Sequence, residues 1–189
     1  HINILYTRAL EGHIEVIALH ELVHHFLWKL GVSPRSLLWF HEGMAEYVSI
    51  EISSKMGYQG AISMKQQLND EISEVKMKFG NDLGFLQNWS PMRTPQDVGR
   101  YYVAAYYVVS KLAENRGGLI YYKHFFRLIK NEKIEDNAEL VYYLSLAANE
   151  SIAEILNSWG FNIPDLYRYF PLFNEVRVII AVSYTHLTL

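Results

Sequence analysis

The chain has 189 residues, of which half are apolar and a fifth are charged, with a formal net charge of −3. This length and composition are typical of one globular domain with a substantial hydrophobic core and give no indication of disorder. The near balance of charges argues against a polyanionic partner, so we expect no nucleic acid ligand, and the absence of cysteine excludes disulfides, thiolate metal sites and a cysteine nucleophile.

The two ends of the chain are expected to contribute little to the fold. The sequence starts at His1 without a methionine, a basic leader or a long apolar run, so we expect no signal peptide and no membrane span here, and an upstream part of the protein before it. Residues 181–189 resemble translated adaptor sequence and are predicted to be a non-native tail. The predicted domain therefore covers residues 1–175, and the sequence determines neither its compartment nor its oligomeric state.

The first third of the chain predicts one strand and two helices. Residues 2–7 are β-branched and aromatic, which favours an edge strand of a sheet that lies mostly upstream. Apolar residues then recur at helical spacing over about residues 10–30, before a glycine and a proline that stop the helix. Ser33 as N-cap and Pro34 in the first turn predict a second helix that continues to residues 55–57.

The middle of the chain predicts further helices around one long connection. Residues 80–99 collect glycine, proline and polar residues, which indicates an irregular connection, and a loop of this length is often functional. Helical periodicity is found on both sides of it, in residues 61–78, 100–117 and 119–130.

Two capping-box patterns predict short helices near the C-terminal end. Asp136 is followed three residues later by Glu139, and Ser151 is followed in the same way by Glu154. In such a pair the first side chain accepts a hydrogen bond from the backbone of the second residue, which starts a helix. The sequence therefore predicts a mainly α-helical domain whose C-terminal half is a helical bundle.

The segment "HELVHH" carries the first candidate site residues. Side chains four residues apart project from one face of a helix, so His20 and His24 can bind one cation together. A pair of imidazoles suits zinc, and Glu21 lies beside them, where a carboxylate that does not bind the metal can take a proton from a water molecule. This pattern predicts a zinc site that still needs a third ligand.

The second predicted helix supplies that ligand. After His24 the first helix continues for about 9 Å, and the second helix returns over a similar distance before it reaches Glu42. An antiparallel hairpin would therefore bring this carboxylate to the two histidines and leave the fourth position of a catalytic zinc to water. Glu46, one turn further on the same face, is predicted to accept a hydrogen bond from the other nitrogen of a zinc histidine.

The remaining histidines have simpler interpretations. Side chains one position apart on a helix differ by about 100° in direction, so His25 and His41 are predicted to pack or to form local hydrogen bonds. His13 lies roughly 10 Å from His20 along the helix, which is too far for a shared ligand set. The sequence assigns no role to His124.

The two motifs together resemble a known family. "HELVHH" followed by "LLWFHEGMAEY" is similar to the gluzincin metallopeptidases, in particular the peptidase MA-like group related to aminopeptidase N-type and thermolysin-like enzymes. The resemblance implies a zincin-like catalytic domain that binds one zinc ion through His20, His24 and Glu42, with Glu21 as general base. It also implies that Glu46 orients a zinc histidine and that the substrate is a peptide or protein.

The resemblance extends to the segment "RYYVAAYYVVSKL". In these families the corresponding helix carries a tyrosine that stabilises the oxyanion of the reaction, and the alignment selects Tyr102, with Tyr101 as its close competitor. His41 stands where the families often have asparagine, and no aminopeptidase-type segment for a free amino terminus is visible. The expected function is therefore zinc-dependent peptide hydrolysis with the choice between endo- and exopeptidase open, and the alternative is a non-catalytic binding module of the same fold.

Overall fold

The computed structural model describes residues 12–80, 82–93 and 95–170. This part of the chain is mainly α-helical, as the sequence predicts, and its strand-like pairing consists of two isolated bridges, Val32 with Ile134 and Ser90 with Arg93. The strand predicted at residues 2–7 and the tail predicted at residues 181–189 lie outside the described residues. No helix within the described ranges is both long and apolar enough to cross a bilayer.

Seven α-helices account for most of the described residues. They are α1 (His13–Lys29), α2 (Leu38–Lys55), α3 (Gln59–Phe79), α4 (Val98–Glu114), α5 (Leu119–Leu128), α6 (Asn137–Ala148) and α7 (Ile152–Ser158). Short 3-10 helices lie at Gly84–Asn88 and Tyr167–Tyr169. The order of the helices agrees with the order predicted from the sequence.

The prediction that Ser33 and Pro34 start the second helix is wrong. The backbone N–H of Ser33 donates to the carbonyl of Ile134 at 2.9 Å, and the carbonyl of Ser33 accepts from the N–H of Leu37 at 3.1 Å. Residues 34–36 therefore form a separate turn, and α2 starts only at Leu38. A long-range backbone contact, which local capping rules do not include, determines this start.

The connection at residues 80–99 is more ordered than its composition suggests. Its described part contains the 3-10 helix Gly84–Asn88 and three buried apolar side chains, those of Leu83, Leu86 and Trp89. These side chains contribute to the core, and each such burial stabilises the fold by roughly 1.5–3 kcal/mol. The connection therefore serves as part of the scaffold below α4.

Both predicted capping boxes are confirmed as helix starts. The side chain of Asp136 accepts from the backbone N–H of Glu139 at 2.9 Å, and α6 begins at the next residue. The side chain of Ser151 accepts from the N–H of Glu154 at 3.3 Å, and α7 begins in the same way. These caps satisfy backbone donors that the first turn of a helix leaves unpaired.

Helix α2 lies at the centre of the structure and is buried on almost all sides. It packs against α1, α3 and α4, and Trp39 donates through its indole N–H to the side-chain oxygen of Asn137 on α6 at 2.8 Å. Gly43 allows a close approach to α4, because a Cβ at this position would lie 2.5 Å from the carbonyl oxygen of Ala105. The surroundings of α2 therefore fix the positions of the side chains that it carries.

Candidate metal centre

Helices α1 and α2 bring three potential ligands to one point. The Nε2 atoms of His20 and His24 lie 3.1 Å apart. The Oε2 atom of Glu42 lies 3.4 Å from the first nitrogen and 3.3 Å from the second. The three groups are partly buried and can together hold a metal ion.

These spacings fit a small tetrahedral cation. Nitrogen and oxygen ligands lie about 2.0–2.1 Å from zinc, so two ligands of an ideal tetrahedron are about 3.3–3.4 Å apart. The three observed separations are at this value or slightly below it. Two imidazoles and a carboxylate are also the protein ligands of many catalytic zinc sites. The residues present therefore match a zinc ion in both geometry and ligand type.

Glu46 holds His20 in the orientation that metal binding requires. Its Oε2 atom lies 2.8 Å from Nδ1 of His20, and both side chains are largely buried. Since a carboxylate can only accept, Nδ1 carries the proton and the lone pair of Nε2 is left for a cation. The sequence predicted this contact, although not which of the two histidines makes it.

The electrostatics of the site reflect its two carboxylates. Burial alone lowers the pKa of His20, but hydrogen bonds with Glu42 and Glu46 outweigh burial and raise this pKa to about 9. Burial alone raises the pKa of Glu42, but hydrogen bonds with His20 and His24 outweigh it and lower this pKa to about 2. The negative charges at this point therefore favour a positive charge, whether proton or metal ion.

His41 is a buried neighbour of the site. Its ring is 1% exposed, stacks on the ring of His24 with 5.8 Å between centroids, and donates through Nε2 to the carbonyl of Val32 at 3.0 Å. Burial lowers its pKa to about 4, so the ring stays neutral. Val32 also forms the isolated bridge with Ile134, and this bridge anchors the turn between α1 and α2. His25 is exposed on α1 and His124 on α5.

Two cavities border the cluster. The first, here called the Trp28 cavity, has a volume of about 420 Å³ and is lined by Glu21, His24, His25, Trp28, Pro34, Leu38, His41 and Glu42. The second, the Tyr102 cavity, has a volume of about 360 Å³ and is lined by Val16, Ile17, His20, Glu21, Glu46, Met64 and Tyr102. Glu21 lines both, so its carboxyl group can reach a molecule that extends from one cavity to the other.

The structure separates the two candidate tyrosines. Tyr102 lines the second cavity together with His20 and Glu21, and burial together with the neighbouring carboxylates raises its pKa. Its hydroxyl therefore keeps its proton at neutral pH and can donate. Both tyrosine rings contact Trp89, at 5.4 Å for Tyr101 and 5.1 Å for Tyr102, and Tyr101 also packs against the ring of Phe85 at 4.8 Å. Of the two, only Tyr102 borders the cluster in the described structure.

Five lining residues of the Trp28 cavity were not predicted to belong to the site, namely His25, Trp28, Pro34, Leu38 and His41. Trp28 continues the stripe of His20 and His24 at a spacing of four residues, and Leu38 precedes Glu42 by the same spacing. This spacing could have identified both Trp28 and Leu38. Comparisons of the chain with protein-family models, with curated proteins and with solved structures give no match.

Proposed function

We propose that this chain is a zincin-like catalytic domain that hydrolyses peptide bonds with one zinc ion held by His20, His24 and Glu42. The observation that carries the proposal is the triangle of donor atoms with sides of 3.1–3.4 Å. Glu21 beside this triangle supplies a base between two cavities, which is an arrangement that hydrolysis needs and metal storage does not. The motif resemblance to gluzincins supports the same interpretation.

In the proposed reaction, each side chain has a separate role. Zinc bound at this site would polarise the substrate carbonyl and lower the pKa of water toward about 7. Glu21 accepts the proton of the attacking water and then passes it to the amine that leaves, so one carboxylate acts first as base and then as acid. Glu46 keeps the imidazole of His20 in one tautomer throughout. Tyr102 donates a hydrogen bond to the oxyanion that forms on the scissile carbonyl.

Metal analysis and peptide hydrolysis test the proposal together. We expect one zinc per chain and cleavage of casein or a quenched peptide that stops on addition of a chelator. Glu21→Gln should retain the metal and lose about 10²- to 10⁴-fold in turnover, because the amide cannot accept the proton. His24→Ala should lose the metal itself. Protein that binds no zinc under these conditions would refute the proposed metal centre.

Matched substitutions on the same helix serve as controls. His13 lies on α1 outside both cavities, so His13→Ala should keep zinc and activity. Glu15 is an exposed carboxylate in the first turn of α1, and Glu15→Gln should be as active as the unmodified chain. Zinc binding without hydrolysis of any peptide would instead favour the non-catalytic module. Full activity of Glu21→Gln would exclude this residue as the base.

A further inference from the structure

The Trp28 cavity combines apolar side chains with polar groups, most of which belong to the metal centre or adjoin it. Trp28, Pro34 and Leu38 are its apolar lining residues, and the carboxylates of Glu21 and Glu42 also line it. No lysine or arginine is among its described lining residues. An anionic group inside would therefore lose water without gaining an ionic partner, whereas an apolar group would be stabilised.

Trp28 is unusually accessible for a residue of its type. Its side chain is 64% exposed, although large aromatic residues are normally highly buried. Side chains on a helix lean toward its N-terminal end, so the indole of Trp28 covers the preceding turn, which carries His24. An exposed aromatic ring on the wall of a cavity provides a large, rigid contact surface for a bound molecule.

The distance from this ring to the cluster corresponds to a short length of peptide. Trp28 follows His24 by one helical turn, which is about 6 Å along the helix axis. Consecutive Cα atoms of an extended peptide are about 3.8 Å apart. A side chain that enters the cavity therefore belongs to the first or second residue from a bond positioned at the cluster. The volume of about 420 Å³ is large enough for an aromatic side chain.

One further lining residue of the cavity is held rigidly. His41 is buried and is fixed by its hydrogen bond to the carbonyl of Val32 at 3.0 Å. A lining residue of this kind selects by shape and polarity, since it has little freedom to adapt to a different side chain.

From these observations we infer that the Trp28 cavity is a specificity site for a large apolar side chain, aromatic or aliphatic, located within two residues of the scissile bond. This inference rests on the proposed peptidase function and deepens it by naming the substrate class. Acidic side chains are disfavoured because Glu21 and Glu42 border the cavity. Small side chains are disfavoured because they leave the indole of Trp28 in water.

A binding measurement tests the cavity without relying on turnover. The chain has four tryptophans, and the indole N–H signal of Trp28 in a nitrogen-15 NMR spectrum is the one that Trp28→Phe removes. N-acetylphenylalaninamide should shift this signal at concentrations at which N-acetylalaninamide and N-acetylglutamate amide do not. The other three indole signals should stay in place. An unchanged Trp28 signal would overturn the inference.

A peptide series tests the same cavity in the zinc-loaded protein. Quenched peptides that differ only near the scissile bond should show a kcat/KM ratio of phenylalanine over alanine on the order of 10² at one position, because even one methylene in an apolar pocket is worth about 10- to 200-fold. Trp28→Ala should reduce this ratio by at least about tenfold. Leu38→Trp, which adds bulk at another lining residue of the cavity, should reduce it as well.

Leu22→Ala is the matched control. Leu22 is an apolar residue of the same helix that is 56% exposed and lines neither cavity, so its loss should leave the ratio unchanged. Thermal melting and zinc content of every variant confirm that folding and the metal centre are intact. An unchanged ratio in Trp28→Ala would overturn the specificity role. A shifted Trp28 signal without hydrolysis of any peptide would overturn the proposed function but support apolar binding at the cavity.

Discussion

The contact between Glu46 and His20 gives the sharpest quantitative prediction. A hydrogen bond to a charged group contributes roughly 1.5–3 kcal/mol, and about 1.4 kcal/mol corresponds to a factor of ten in an equilibrium constant. Glu46→Ala should therefore weaken zinc binding by about 10- to 100-fold, because His20 is no longer held with Nε2 toward the metal. The 2.8 Å separation and the partial burial of both side chains argue for a full effect.

The size of this effect should depend on pH. Glu46 also helps to raise the pKa of His20 to about 9, so below this value zinc must displace a proton that Glu46 stabilises. Removing Glu46 weakens the binding of this competing proton to His20, which offsets part of the loss of zinc affinity near neutral pH. Above about pH 9 the proton is already absent from His20, and the full loss of affinity should appear.

Competition with a coloured zinc chelator measures both effects. Dissociation constants of the unmodified chain, Glu46→Ala and Glu51→Ala should be compared at neutral pH and above the pKa of His20. Glu51 lies on the same helix and is similarly buried, but it pairs with Lys65, so its loss should leave zinc affinity unchanged. Equal affinities of Glu46→Ala and the unmodified chain at the higher pH would refute this reasoning.

Three further predictions concern stability. Gly43→Ala should lower the free energy of unfolding, measured by urea titration, by about 1–3 kcal/mol, because its Cβ would overlap α4. Gly99→Ala should not lower it, because a Cβ at position 99 would meet no neighbouring atom within 4 Å. Chelation of zinc should lower the melting temperature, since ligand at about 100 times its dissociation constant adds about 2.7 kcal/mol; an unchanged melting curve would contradict this. The neutral state of buried His41 contributes roughly 3 kcal/mol to the free energy of unfolding. This contribution is fully present above about pH 6.5 and is lost as pH falls through about 4. A urea titration of metal-free His41→Phe should therefore show a weaker loss of stability over this interval.

Local sequence patterns were sufficient for the helices and for the meeting of His20, His24 and Glu42. Helical periodicity fixes which side chains share a face, and a short turn between two helices makes them antiparallel neighbours. The predicted contact of Glu46 followed from the same geometry. These features depend on residues close together in the sequence, which explains why they could be predicted without the structure.

Features that depend on distant parts of the chain could not be predicted in this way. The start of α2 is set by Ile134, a residue about one hundred positions away, and the local sequence around Ser33 does not indicate this contact. The separation of Tyr101 from Tyr102 depends on the packing of α4, which places Tyr101 against Phe85 and Tyr102 in the cavity beside His20. Such long-range packing leaves no periodic signal in a single sequence.

The close approach of α2 and α4 at Gly43 links residues with different proposed roles in the site. Glu42 is the neighbour of Gly43, and Tyr102 lies on α4 about one turn before Ala105, which the glycine contacts. A larger residue at position 43 would also meet the side chain of Val109. In evolutionary terms, homologous chains should retain glycine at position 43, because the nearest obstacle is the backbone of Ala105 and a smaller residue at 109 would not remove it.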